Sequence, residues 1–66
     1  MVYKGDYVKI VDKKLGSLFE LTGIVIKGPY EASIRTGEIL HLVRAVDLFI
    51  EGKPYRQIPI SCLKRL

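Results

Sequence analysis

One cysteine, one histidine, no tryptophan and two phenylalanines in 66 residues exclude several classes of protein at once. Cys62 has no second thiol to bond, so an internal disulfide is excluded and a reducing setting fits. Cys62 and His41 alone cannot fill a tetrahedral metal site, and no cofactor motif is present. No glycine-rich phosphate loop follows a strand and opens a helix; Gly28-Pro29-Tyr30-Glu31 reads as a turn. No apolar run approaches the ~20 residues a membrane span needs, and the opening MVYKGDY interrupts any leader-like apolar stretch with charges and a glycine. No stretch long enough for a stable helix carries an apolar stripe at helical spacing.

What is present is a series of short β-branched runs cut by glycine and proline. Residues 1–66 form a single domain, too small for two cores, with 48% hydrophobic residues and a positive mean hydropathy. A domain of about 60 residues buries only roughly 60% of the surface its unfolded chain exposes. With disulfide and metal ruled out, self-association or docking onto a partner is the remaining support. The runs predict about five or six short strands, and in so small a chain only closure into a barrel hides the strand edges. The expected fold is all-β, with one short helical turn before the last strand.

The first strand is expected over Tyr7–Asp12, where Val8 and Ile10 alternate with Tyr7, Lys9 and Val11. A loop follows over Lys13–Leu18. A second strand runs from Phe19 to Lys27, with a bulge or bend at Gly23, and stops at Gly28-Pro29 because proline cannot donate into a ladder. Strands over Glu31–Thr36 and Glu38–Val43 hinge at Thr36-Gly37, the latter running on towards Ile50. Leu42, Val46, Leu48 and Ile50 share one face of that segment; His41, Val43, Ala45, Asp47 and Phe49 share the other, so both are partly apolar. Glu51-Gly52 suits a hairpin turn. A two-residue loop there sets Leu48 opposite Tyr55 and Asp47 opposite Arg56. A helical turn falls within Ile58–Ser61, and a last strand over Leu63–Leu66. The expected core takes Val8, Ile10, Leu21, Ile24, Ile26 and Ile34 from the first half of the chain. From the second half it takes Leu42, Val46, Leu48, Ile58, Ile60 and Leu63.

The opening G-D-x-V-x-I (Gly5, Asp6, Val8, Ile10), the Gly-x-Val of Gly23 and Val25, and the closing I-P-x-S-x-L-x-x-L (Ile58, Pro59, Ser61, Leu63, Leu66) resemble a small SH3-like barrel of the KOW/Tudor-like kind. The stretch of Val46, Asp47, Gly52, Lys53, Tyr55, Ile58 and Pro59 is similar to small phage-encoded barrel proteins. The chain does not resemble the peptide-binding SH3 domains, whose ALYDY-type motif and groove tryptophan are missing. It departs from KOW modules too, having only Lys27 where basic residues usually cluster. The resemblance implies a binding module inside the cell, or in a virion if the chain is phage-encoded.

Formal net charge is +4, from eleven Lys and Arg against seven Asp and Glu. Most charges are interleaved by sign; only Lys13-Lys14 and Lys64-Arg65 are locally unbalanced. His41 lacks a grouped nucleophile and carboxylate, and a packed barrel of this size leaves no room for a substrate pocket, so neither catalysis nor a small-molecule substrate is expected. Cys62, between Ile60 and Leu63, reads as a plug of the barrel end. The tyrosines suit either a protein surface or stacked bases. The expected function is therefore a non-catalytic interaction or assembly module, self-associating as a homo-oligomer or docking onto a larger particle, through Val43, Phe49, Tyr30 and Tyr55. The alternative is a KOW-like nucleic-acid binder using Tyr7, Lys9, Lys13, Lys14, Lys64 and Arg65, brought together if the first and last strands lie side by side.

Overall fold

Two edge strands joined by a three-residue turn dictate the shape. The computed structural model describes all residues, Met1–Leu66. Its strands are β1 (Tyr7–Ile10), β2 (Thr22–Thr36), β3 (Ile39–Ile50), β4 (Lys53–Pro59) and β5 (Leu63–Arg65). They form one antiparallel sheet in the order β4-β3-β2-β1-β5. β4 and β5 occupy opposite edges, about 19 Å apart were the sheet flat, yet only the 3-10 turn Ile60–Cys62 separates them in sequence. The sheet must curl until its edges approach, as in a small barrel. The expected all-β class and the helical turn before the last strand are both present.

Inside the curl lie Val8, Ile10, Val25, Val46, Leu48 and Ile50, all at most 1% exposed, joined by Val2 and Ile58. Burying each such side chain contributes about 1.5–3 kcal/mol. Leu21, Ile60 and Leu63 pack against this cluster from its rim. Four expected core residues belong elsewhere: Leu42 is 71% exposed, Ile26 is exposed, and Ile24 and Ile34 are half-buried. Pairing explains the choice within the Ile24–Ile26 run. Val8 faces inward and pairs with Gly23, so Gly23 and Val25 point in and Ile24 and Ile26 point out.

Gly23 is therefore no bulge. A Cβ on it would lie 2.6 Å from Ile50 Cγ1 and 2.8 Å from the Phe49 carbonyl oxygen, so the residue is glycine because two strands approach closely there. Nor does Gly28-Pro29 end the strand. β2 continues through it, with irregular pairing between Val25 and Lys27 and between Lys27 and Tyr30. These breaks bend one long strand, so a single element serves the barrel and the hairpin beyond it. Lys13–Leu18, expected as a loop, is two 3-10 turns interrupted at Gly16, and Asp12 accepts from the Lys14 N–H at 2.9 Å at their start.

Between β3 and β4, Glu51 and Gly52 both take positive φ, 49° and 84°, the pattern of a type I′ hairpin turn. Leu48 pairs with Tyr55 as expected. The expected Asp47–Arg56 pair does not form, because the register shifts there and both Arg56 and Gln57 face Asp47. No helix is long and apolar enough to cross a membrane.

Candidate functional site

Three surface regions gather the side chains singled out in the sequence. The first is an open depression of about 400 Å3 lined by Lys27, Tyr30, Asp47, Arg56 and Gln57. The register shifts in β2 and β4 create it. Tyr30 comes from β2, Asp47 from β3 and Gln57 from β4, so three strands are tied at one point. The Tyr30 hydroxyl donates to Asp47 Oδ1 and accepts the Gln57 N–H at 3.1 Å; that N–H also lies 3.2 Å from Asp47 Oδ1. Gln57 holds φ at +56°, a left-handed conformation unusual for a side chain with a Cβ, and this aims its amide at the carboxylate.

The hydrogen bond from Tyr30 holds the Asp47 carboxyl below its ordinary value, against the opposing effect of burial, with help from the Gln57 N–H and the charges of Lys27 and Arg56. Tyr30 is pushed up, first by burial and then by its bond to Asp47. A phenol raised in this way gives up its proton less readily than free tyrosine, and the carboxylate's Oδ1 is already taken. The cluster ties β2, β3 and β4 together at the bend of the sheet. The Lys27 amine sits 6.0 Å from the Tyr30 ring centroid, at the limit of a cation–π contact.

The second region is an arm. β1 pairs with β2 only over Thr22–Ile24, and β4 pairs with β3 only over Ala45–Ile50. Beyond that, Glu31–Thr36 and Ile39–Arg44 pair solely with each other and project from the barrel as a two-stranded hairpin about 20 Å long. Pairing places Ala32 with Val43, Ile34 with His41 and Thr36 with Ile39 on the face that also carries Tyr30 and Asp47. Glu31 with Arg44, Ser33 with Leu42 and Arg35 with Leu40 occupy the other face. Ile39, Leu40 and Leu42 are 62%, 59% and 71% exposed. Of the four expected interface residues, Val43, Phe49 and Tyr30 share the outer face, since Phe49 pairs with Ile24 and Tyr30 with Ala45. Tyr55 does not join them. It pairs with Leu48, whose side chain is in the core, and packs inward. His41 is exposed on the arm.

The third region lies along β1 and β5, which pair side by side. Lys9 stands directly opposite Lys64, with exposed Tyr7 on the same face of β1. Lys13 and Lys14 are exposed in the following turns. Arg65 pairs instead across from Val8, and its Nε lies 3.7 Å from Asp6 Oδ2, so its charge is partly neutralised. Cys62 is 6% exposed, and its thiol donates to Asp12 Oδ2 at 3.4 Å. Burial and then that hydrogen bond push the thiol up, in line with its packed position.

No group of three or more His, Cys, Asp and Glu side chains comes together to hold a metal. No protein-family model, curated protein or solved structure matches this chain.

Proposed function

We propose that this chain is a non-catalytic protein-interaction module that works in assembly, as a homo-oligomer or as a component docked onto a larger, phage-like particle. The projecting arm carries the reading, because Ile39, Leu40 and Leu42 stand in water with no core to serve. A compact monomer of this mass exposes about 4,250 Å2, whereas the chain exposes 4737 Å2. Its long axis is 33 Å against 23 and 20 Å across. Surface of this kind is retained where a partner covers it. The resemblance of the opening and closing motifs to SH3-like barrels, and of the stretch from Val46 to Pro59 to small phage-encoded barrel proteins, is compatible with this reading, and a reducing cytoplasmic setting, or a virion, suits the free Cys62.

A second reading, nucleic-acid binding, has one observation in its favour. Lys9 and Lys64 are directly opposed, an arrangement that costs stability unless an anion lies between them. Phosphates would serve, with Tyr7 beside them to stack a base.

Light scattering on the purified chain across roughly 50–500 mM salt, with and without mixed DNA and RNA, separates the two. The interaction module gives an oligomer that persists through the salt range and ignores nucleic acid. A monomer that moves onto nucleic acid only at low salt transfers the function to the β1–β5 strip.

A further inference from the structure

The two edges of the arm are not equally defended. On β2 the free edge runs past Glu31, Ser33 and Arg35, and the charges of Glu31 and Arg35 discourage another strand from pairing. On β3 the free edge reads Ile39-Leu40-His41-Leu42-Val43. It has no lysine, no proline and no bulge, since its pairing with β2 is regular from Ala45 to Ile39. These are the devices that keep an edge from pairing, and all are missing.

The tip decides which backbone groups are free. Thr36 pairs with Ile39 across the two-residue loop Gly37-Glu38, and Gly37 has φ of +62° while Glu38 is not among the positive-φ residues. That is a type II′ turn, whose closing pair exchanges backbone hydrogen bonds. Counting back in twos, the N–H and C=O groups of Ile39, His41 and Val43 face β2, and those of Leu40, Leu42 and Arg44 face outward. β4 satisfies the edge of β3 only as far as Ala45, where Pro59 sits opposite.

We infer that a second copy of this chain adds its own β3 edge antiparallel to this one, with a two-fold axis at His41. The inference rests on the interaction-module reading and names its partner. In this register Leu40 pairs with Leu42 of the second copy and Leu42 with its Leu40, so outward N–H and C=O groups meet in two exchanged pairs. Four exposed leucines then cluster on one face of the seam. On the other face Ile39 lies against Val43 of the second copy, and the two His41 side chains flank the axis. At each end Glu38 of one tip stands opposite Arg44 of the other base, an attractive charge pair formed twice. Moving the axis to Leu42 sets Leu40 against Arg44 and loses that complementarity. Because the arms run antiparallel, the two barrels lie at opposite ends of a continuous four-stranded seam. The interface is small, below about 1,200 Å2, so association is expected at micromolar concentrations.

The experiment combines sedimentation velocity at about 5–500 μM chain, a range suited to so small an interface, with disulfide trapping. The wild-type chain should sediment as a dimer at the upper concentrations. Leu42→Lys leaves the intrachain ladder intact, because the Leu42 N–H is not used within the hairpin, and should shift dimerisation upward at least tenfold in concentration. His41→Cys should crosslink copy to copy under mild oxidation, since a non-hydrogen-bonded pair brings Cα atoms to about 4.5 Å. Arg35→Cys, on the β2 edge, should not; Cys62 is buried and does not compete. A dimer that survives Leu42→Lys, or one that crosslinks through Arg35→Cys and not His41→Cys, overturns this interface and leaves the interaction module standing. A chain monomeric throughout the range overturns the inference and the self-association half of the module reading together.

Discussion

At Gly23 a single hydrogen atom, in place of a side chain, lets two strands approach without strain. The inward side of β2 meets Ile50 and the Phe49 backbone there, and the backbone oxygen cannot move aside as a side chain would. Gly23→Ala should therefore cost about 1–3 kcal/mol, read as a lower midpoint in urea with unchanged slope. Tyr30 and Asp47 make stability depend on pH at the same scale. The folded Asp47 carboxyl lies below its unfolded value, so its contribution is complete above about pH 4 and is lost as acid carries the chain through the lower folded value. The folded Tyr30 phenol lies above its unfolded value, so its contribution is complete below about pH 10 and is lost as the pH rises through the higher folded value. Tyr30→Phe should lower stability near neutrality by about 1–2 kcal/mol. It should also flatten both the acid and the alkaline flanks of the melting temperature against pH; flanks as steep as those of the wild type would count against the pair.

Elements differ in how openly the sequence announced them. Turns were the clearest. The glycine of Thr36-Gly37 and the pair Glu51-Gly52 mark the two tight hairpins, whose loops are Gly37-Glu38 and Glu51-Gly52, because few residue pairs accept the backbone angles such turns impose. The first of those central residues in the second hairpin, Glu51, holds φ at 49°, a conformation that asparagine adopts more readily. Glu51→Asn should stabilise the chain by about 0.5 kcal/mol, raising its melting temperature. The long β2 strand was harder to see. Gly28-Pro29 carries the usual signature of a stop, yet it falls where the ladder with β3 is already broken, so the missing proline N–H removes no bond. Gln57 left no signal at all. Its left-handed backbone follows from the register shift opposite Asp47, which depends on how β3 and β4 curl together.

At the scale of the whole molecule, the proposed pairing through the arm would make stability depend on company. If only the folded chain pairs its β3 edge, raising the concentration stabilises it by mass action. The melting temperature should then climb by roughly 3–5 °C per tenfold increase in chain above the dimerisation midpoint, and Leu42→Lys should abolish the dependence. A wild-type melting temperature indifferent to concentration would speak against the two-copy assembly.

Alternation and turn chemistry determined the all-β class, the hairpins and the inward places of Val8, Ile10, Val46 and Leu48, because these follow from backbone geometry within a few residues. Leu42 shows where that reasoning stops. It shares the parity of Val46 and Leu48, so the pattern assigns it to the core, but β4 leaves β3 at Ala45 and nothing of this chain lies over it. Parity along a strand is local, whereas burial depends on which distant strand covers that strand and for how far. Tertiary structure alone decided that the same apolar face would cover a core at one end and stand open to solvent at the other.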